Sequence, residues 1–148
     1  MFKKILVAVD GSDHALKAAK VACEMAAQSE GAAINLLTVT RRYEATPQLK
    51  QFLKAENLMG EPKYVLDEMT KNILSEAKKI AGDAGIEEVK THVREGKPAR
   101  TIVDFADNND MDLIVLGCRG VGEVEAFLLG SVSHKVSTLA KCTCVIVR

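Results

Sequence analysis

The sequence predicts one α/β domain, spanning residues 1–148, with a doubly wound, largely parallel five-stranded sheet and helices on both faces. Three observations lead to this prediction. A chain of 148 residues, 47% of them hydrophobic, has the size of one globular domain with a full core. Short apolar runs of strand type alternate with segments of helical periodicity. The first run is almost continuously apolar, which is typical of a strand buried on both faces.

Four elements are predicted in the first half of the chain. An apolar run gives the first strand, and a cap at Ser12 or Asp13 followed by alanines at helical spacing gives the first helix. Gly31 breaks that helix, and a right-handed crossover then leads into a parallel strand. The predicted elements are a strand at Lys4 to Val9, a helix from the cap to about Gln28, a strand at Ile34 to Val39 and a helix at about Lys63 to Ala84.

The segment from Thr40 to Pro62 has no clean period. Within it the sequence predicts only a short helix at Leu49 to Leu58. We expect the segment to be a surface insert that acts as a lid over the end of the second strand. The helix after it carries an apolar stripe that we expect to face the core, formed by Val65, Met69, Ile73, Ala77 and Ile80.

The second half predicts three strands and two helices. Glu88 to Arg94 alternates apolar and polar residues, as at a sheet edge wetted on one side, so His92 is expected at the surface. Pro98 opens a helix whose core face is Ile102, Val103, Phe105 and Ala106. The remaining elements are a strand at Leu113 to Leu116, a glycine-punctuated stretch from Gly117 to Gly130, a helix at Ser131 to Leu139 and a last strand at Thr143 to Val147.

Composition excludes several classes of function. The 20 basic and 20 acidic side chains give a formal net charge of zero, whereas domains that bind nucleic acid usually carry a basic excess. The first apolar run is too short for a signal peptide or a membrane span, so we expect cytoplasmic residence without membrane association. We expect the four cysteines to be reduced thiols that act as small packing residues, namely Cys23, Cys118, Cys142 and Cys144. Their spacing from the histidines does not match that of zinc ligands.

Two segments form the candidate binding site. Ligands of doubly wound sheets bind beyond the carboxyl ends of the strands, and the first strand delivers Asp10 to that edge. The fourth strand delivers Gly117-Cys118-Arg119-Gly120, which nine residues separate from Gly130-Ser131-Val132-Ser133. Glycine lets a ligand approach the backbone, a helix start offers N–H groups to anions, and the serines add hydroxyl donors. The pattern is a phosphate site in outline.

Each feature also has a plainer interpretation. Ser131 could be only a helix cap, Asp10 could cap the first helix, and Arg119 could be a solvated loop residue. The chain has no GxxxxGK[ST] and no GxGxxG between the first strand and the first helix. Chemistry alone therefore leaves the nucleotide class open.

The sequence resembles the universal stress proteins over nearly its whole length. The resemblance rests on Ile5-Leu6-Val7-Ala8-Val9-Asp10-Gly11-Ser12, on Leu36-Leu37-Thr38-Val39 and on Gly117-x2-Gly120-x9-Gly130-Ser131. The last spacing is the ATP-binding signature of the family's nucleotide-binding branch. The resemblance implies a cytoplasmic stress-response protein with strand order 3-2-1-4-5, which binds ATP with Mg²⁺ as a possible companion and forms a homodimer through Thr143 to Val147.

The resemblance also implies roles for individual residues. Asp10 would contact the nucleoside, and Val39 would hold adenine through its backbone beside Ala8. The residues that would line the ribose and phosphates are Gly117, Gly120, Gly130, Ser131 and Val132, with Ser133 and Arg119 as additions.

Three positions depart from the family's pattern. Thr143 before Cys144 stands where a proline is common, so the dimer edge could differ. Glu123 and Glu125 occupy a loop that many relatives make basic, which would make ATP binding weaker or more dependent on metal. Thr38 replaces a frequent histidine, and the sequence gives no consequence for it.

We expect the nucleotide to act as a regulatory or conformational ligand, with at most slow hydrolysis, because no base beyond Asp10 is evident. The alternative is a nucleotide-free dimeric scaffold of the same fold, which would lack the complete glycine signature. A phosphorelay receiver would need an aspartate after the third strand, where Thr91-His92-Val93-Arg94 has none. A thiol switch at Cys118 is a weaker alternative. The sequence does not identify the protein partner or the stress.

Overall fold

The computed structural model describes residues 1–41, 47, 48, 51, 62–120 and 129–148. The elements in these ranges are β1 (Lys4–Ala8), α1 (Asp13–Ala27), β2 (Ala33–Thr40), α2 (Pro62–Asp83), β3 (Val89–Glu95), α3 (Pro98–Asn108), β4 (Leu113–Gly117), α4 (Ser131–Leu139) and β5 (Thr143–Val147). The strands form one parallel sheet in the order β3-β2-β1-β4-β5. The predicted fold class and strand order are confirmed, and element bounds differ from the prediction by a residue or so.

Helices cover both faces of the sheet because neighbouring residues of the central strands point to opposite sides. Ile5 of β1 packs with the alanine-rich faces of α1 and α2, where Ala22 and Ala77 are fully buried. Leu6 packs on the other side with α3 and α4, at Ile102 and Val136. The small residues of α1 let its backbone lie close to the sheet, as the alanine spacing predicts.

The central position of β1 brings two loops together. Its residue Val7 pairs with Leu36 of β2 on one side and with Val115 of β4 on the other. All three side chains are at most 1% exposed. Because these strands are parallel, the segments that follow β1 and β4 leave the sheet at the same edge. This edge carries the candidate site.

The apolar stripe predicted for α2 is wrong at Met69. Met69 is 54% exposed, Ile73 and Ile80 are half-buried, and Ala77 alone of the described stripe residues is fully buried. The buried face of α2 also includes Thr70, Leu74 and Ala81. Met69 lies near the start of the helix, at the carboxyl edge of the sheet, where it lines a cleft instead of packing on the strands. The side chain of Val65 lies outside the described residues.

The edge position predicted for β3 is confirmed, but the surface placement of His92 is wrong. Its Nε2 lies 3.0 Å from Oδ1 of the buried Asn35, and its ring centroid lies 4.8 Å from that of Phe105 in α3. Burial, and then the positive charges of Arg94 and Lys90, lower the pKa of His92. The polar face of β3 therefore packs under α3, and Asn35 gives the His92 imidazole a polar partner there.

Other predictions fall on particular parts of the chain. Of the segment from Thr40 to Pro62, where a lid is predicted, the structure describes only residues 40, 41, 47, 48, 51 and 62. Of the short helix predicted at Leu49 to Leu58 it describes residue 51, which is helical. Glu123 and Glu125 lie outside them as well. The four cysteines are free thiols, as expected. None of the described helices is long and apolar enough to span a membrane.

Candidate functional site

A cleft of about 430 Å³ opens at the carboxyl edge of the sheet, between the ends of β1, β2 and β4 and the starts of α3 and α4. Cavities of this size hold small-molecule ligands. All ten residues that the sequence analysis singles out line this cleft, namely Ala8, Asp10, Val39, Gly117, Arg119, Gly120, Gly130, Ser131, Val132 and Ser133. The topology thus brings together two segments that are more than one hundred residues apart in sequence.

Asp10 lies exposed at the rim, where a short network holds its carboxylate. Oδ1 accepts hydrogen bonds from the Ser12 backbone N–H at 3.0 Å and from the Ser12 hydroxyl at 2.6 Å. The Ser12 hydroxyl in turn accepts from the Ala15 N–H at 3.2 Å, so Ser12 is the N-cap of α1. Asp10 is therefore not the cap of α1, which was the plainer interpretation of this residue.

Gly120 lies against the same carboxylate. A β-carbon built at Gly120 would be 2.6 Å from Oδ2 of Asp10, closer than real β-carbons come to any atom. This contact joins the glycine segment after β4 to the loop after β1. It also requires that position 120 have no side chain while Asp10 keeps its place.

Gly117 is needed for a reason that the sequence did not reveal. A β-carbon there would lie 2.7 Å from the backbone carbonyl carbon of His14 and 2.7 Å from the His14 Cβ. The first turn of α1 therefore packs directly on the end of β4. Close helix–strand packing, rather than only the approach of a ligand, requires this glycine.

The N-terminus of α4 closes one end of the cleft. The Gly130 N–H donates to the Cys118 carbonyl at 2.7 Å, and the N-cap residue is Gly130 itself, which has no side chain to cap the helix. The first turn, which contains Ser131 and Val132, faces the cleft with the positive end of the helix dipole. An anion at this place would be held by backbone N–H groups.

Ser133 lines the cleft, but its hydroxyl has another use than the predicted one. The side chain is 2% exposed, and Oγ lies 2.7 Å from the Cys118 carbonyl oxygen and 3.0 Å from that of Gly130. A hydroxyl has one proton to donate, and both of these neighbours are acceptors. The Ser133 hydroxyl therefore ties the helix start to the end of β4 and is not a donor to a ligand.

The other end of the cleft is apolar. Ala8 and Val39 are half-buried there, and Pro98 and Ile102 of α3 face them across the cleft. The hydroxyl of Thr38 donates to the Val9 carbonyl at 3.0 Å, which ties the end of β2 to that of β1. This bond is the structural role of the threonine for which the sequence gave no consequence.

Sequence reasoning missed several wall residues. Pro98 and Ile102 could have been found, because they follow the edge strand β3 and so reach the same carboxyl edge. Cys118 lies inside the quoted glycine segment and also lines the cleft. Arg41 and Met69 gave no signal, since Arg41 lies in the aperiodic segment and Met69 has the spacing of a core residue.

The arrangement suits a ligand that is flat and apolar at one end and anionic at the other. Apolar side chains can cover a ring system, and the α4 N-terminus, with the half-buried Arg119 beside it in the wall, offers donors and positive charge to an anion. Among the residues described, no group of three or more His, Cys, Asp or Glu side chains could hold a metal ion.

Comparisons with known proteins point in one direction. A family model described as the universal stress protein family matches residues 1–148. A universal stress protein of Thermus aquaticus is 39% identical, and the match covers 100% of both chains. The universal stress protein YxiE of Bacillus subtilis is 35% identical, again over 100% of both chains. A universal stress protein solved in complex with cAMP is 27% identical with a TM-score of 0.73, covering 99% of this chain and 97% of that one.

Proposed function

This chain belongs to the universal stress protein family, and we propose that it binds an adenine nucleotide, ATP in particular, in the cleft at the carboxyl edge of the sheet. The nucleotide acts as a regulatory or conformational ligand of a cytoplasmic stress-response protein. One observation carries the proposal: a single cleft joins an apolar end, a rim carboxylate and a helix N-terminus whose N-cap residue is a glycine. These are the three chemistries that a base, a ribose and phosphates require.

The base lies at the apolar end in this proposal. The half-buried Val39 and Ala8 form one side, with the Val39 backbone at the end of β2 available to the ring edge of adenine. Ile102 and Pro98 form the opposite side. Adenine is the ring system that we assign, because the glycine spacing resembles the ATP-binding signature of the family.

The phosphates lie at the other end. The backbone N–H groups of Ser131, Val132 and Ser133 belong to the first turn of α4, whose dipole favours negative charge. Arg119 adds a cation, and Gly120 lies in the cleft wall next to it in the chain. Asp10 would repel phosphate, so its carboxylate belongs beside the neutral ribose hydroxyls, from which it can accept hydrogen bonds.

The relative solved with cAMP supports the class of ligand. That protein holds an adenine nucleotide with a single, cyclised phosphate, which raises the question of which nucleotide this chain prefers. ATP has more negative charge to place at the α4 N-terminus than a cyclic monophosphate has. We therefore rank ATP above cAMP and make both part of the test.

Rapid hydrolysis does not fit the described residues. Attack on the terminal phosphate needs an oriented water and charge stabilisation at the transferring group. Asp10 is the cleft carboxylate, and Ser12 already holds it in a turn. Mg²⁺ would enter with the triphosphate, because the described side chains form no cluster of metal ligands. We expect a turnover below about 1 per second, the low end for ordinary enzymes.

We also propose a homodimer through the outer edge of β5. The strand ends the sheet at Thr143–Val147, and four of its five residues are half-buried in one chain. An apolar edge strand with open backbone groups pairs readily with a second copy. Sedimentation equilibrium should give twice the chain mass of 16.0 kDa, whereas the mass of a single chain would contradict the dimer.

The test of nucleotide binding begins with protein purified without added nucleotide. One sample is denatured, and the small molecules that it releases are chromatographed. A second sample is freed of bound nucleotide, either by refolding or by dialysis, and is titrated by calorimetry with Mg-ATP, cAMP and Mg-GTP. We expect co-purified adenine nucleotide or micromolar binding of ATP, weaker binding of cAMP and none of GTP. Neither bound nucleotide nor heat would contradict the proposal and favour the dimeric scaffold.

Gly130→Val localises the binding to the cleft. Gly130 is buried, and its backbone angles of φ −59° and ψ 157° are open to any L-amino acid, so the substitution fills space without backbone strain. We expect it to abolish binding and leave the fold intact. Gly82→Val is the matched control, because a β-carbon at Gly82 in α2 meets nothing within 4 Å. Wild-type affinity in Gly130→Val would place the site elsewhere.

A further inference from the structure

A thiol in the wall of the cleft contacts an imidazole of α1. Cys118 directly follows β4, is 3% exposed and lines the cleft, and its Sγ lies 3.5 Å from Nδ1 of His14. His14 is in the first turn of α1, which the close approach to Gly117 fixes against the end of β4. The pair therefore joins the first turn of α1 to the first residue after β4.

The main chain of Cys118 connects the pair to the α4 N-terminus. Its N–H donates to the Val147 carbonyl at 2.7 Å. Its carbonyl accepts from the Gly130 N–H at 2.7 Å and from the Ser133 hydroxyl at 2.7 Å. A change at the Cys118 side chain thus acts on a residue whose backbone positions the anion-binding end of the cleft.

The other three thiols lie in less reactive surroundings. Burial, and then the charge of Glu24, raise the pKa of Cys23, which is also 3% exposed. Burial is also the main cause that raises the pKa of Cys142 and Cys144. Because the thiolate is the reacting form, a raised pKa slows reaction at these positions. Cys118 differs from Cys23 at equal exposure by its place in a cleft and by its histidine.

We propose that Cys118 is an oxidation site and that His14 serves as its base. The oxidant is a small hydroperoxide that enters through the cleft. Oxidised Cys118 and bound nucleotide exclude each other. The site is specific to this chain's cysteine and histidine, and only the exclusion of nucleotide rests on the function proposed above. A hydroperoxide such as hydrogen peroxide is small enough to reach a sulfur with little exposure.

The reaction balances with these groups. The thiol proton passes to Nδ1 of His14, and a sulfur electron pair attacks one peroxide oxygen. The O–O bond breaks, and the departing hydroxide takes the proton from the imidazolium to give water. The sulfur is oxidised by two electrons to a sulfenic acid, and the peroxide is reduced. The added oxygen lies in the wall of the cleft, and a thiol reductant removes it.

The experiment treats the nucleotide-free protein with hydrogen peroxide in the presence of dimedone, which traps sulfenic acids, and quantifies each cysteine by peptide mass spectrometry. Label on Cys118 should accumulate at least about tenfold faster than on Cys23, because Cys118 lines the cleft and has a positioned base, whereas Cys23 lies in the core. The variant His14→Asn should slow Cys118 by at least about tenfold, because it removes the base that takes the thiol proton, and should leave Cys23 unchanged. Circular dichroism checks that this variant is folded.

Two further measurements separate the parts of the proposal. Saturating ATP should protect Cys118, and peroxide without dimedone should abolish ATP binding in calorimetry until dithiothreitol restores it. Label on Cys118 no faster than on Cys23 in the wild-type protein would overturn the oxidation site, whether or not His14→Asn folds. Intact ATP binding by oxidised protein would overturn the exclusion. Absence of ATP binding before oxidation would refute the proposed function alone, since the labelling of Cys118 does not require nucleotide.

Discussion

Gly120→Ala tests the contact between the two loops of the cleft. The β-carbon that it adds would lie 2.6 Å from Oδ2 of Asp10, so that oxygen must move by at least 0.4 Å to reach the 3.0 Å below which such contacts essentially never occur. The carboxylate is not free to turn away, because its other oxygen accepts from the Ser12 N–H at 3.0 Å and from the Ser12 hydroxyl at 2.6 Å. The substitution therefore displaces the residue that we assign to the ribose.

The magnitude follows from the hydrogen bonds involved. A hydrogen bond to a charged group contributes about 1.5 to 3 kcal/mol, so loss of the carboxylate–ribose contact should weaken nucleotide binding between about tenfold and about a hundredfold. The Ser12 cap of α1 is loosened at the same time, which should lower the free energy of unfolding by about 1 kcal/mol. The effect on binding should exceed the effect on stability.

Calorimetry with Mg-ATP and urea unfolding measure the two quantities on the same preparation. Gly82→Ala is the matched control, since its β-carbon meets nothing within 4 Å. In a helix it should raise stability by up to about 1 kcal/mol and leave binding unchanged. Wild-type affinity in folded Gly120→Ala would refute the role of Asp10, because the carboxylate would then have moved without consequence.

Three more substitutions test other parts of the account. Burial, and then Arg94 and Lys90, lower the pKa of His92 below its value in the unfolded chain, so its contribution to stability is full above about pH 6.5 and is lost as the pH falls toward the lowered pKa. The Tm of His92→Gln should therefore fall less than that of the wild type between about pH 7.5 and about pH 5, and equal falls would contradict this. Leu6→Ala, at a side chain with 0% exposure, should lower the free energy of unfolding in urea by about 2 to 5 kcal/mol, and a loss below about 1 kcal/mol would contradict the packing. Met69→Ala should weaken ATP binding by about fivefold, through about 1 kcal/mol of lost apolar contact with the base, while the urea midpoint hardly changes; an unchanged Kd would remove Met69 from the site.

The sequence was sufficient for the fold because several local signals agree. The apolar run of β1 predicts burial on both faces, and the alanine spacing of α1 predicts close packing; both are confirmed. The resemblance supplied what periodicity could not, the strand order that places β1 beside β4. The parallel direction of the strands brings Asp10 and Gly117 to one edge, and the order makes them neighbours there.

The failures come from contacts that no local pattern records. Met69 has core spacing, but its turn of α2 lies at the carboxyl edge of the sheet, where a cleft opens. His92 alternates like a surface residue, but Asn35 and Phe105 supply partners from other elements. The Ser133 hydroxyl is taken by two carbonyl groups of its own site. In each case the environment of the side chain is set by residues from other parts of the chain, which the spacing of residues in the sequence does not encode.

The most direct test of nucleotide binding in this cleft is an NMR titration of the ¹⁵N-labelled protein with Mg-ATP. We expect the largest amide shifts at Ser131 to Ser133, at Gly117 to Gly120 and at Val39, and almost none at Lys3 and Lys4, which lie at the opposite edge of the sheet. Shifts concentrated at that opposite edge, or no shifts at saturating ATP, would contradict this.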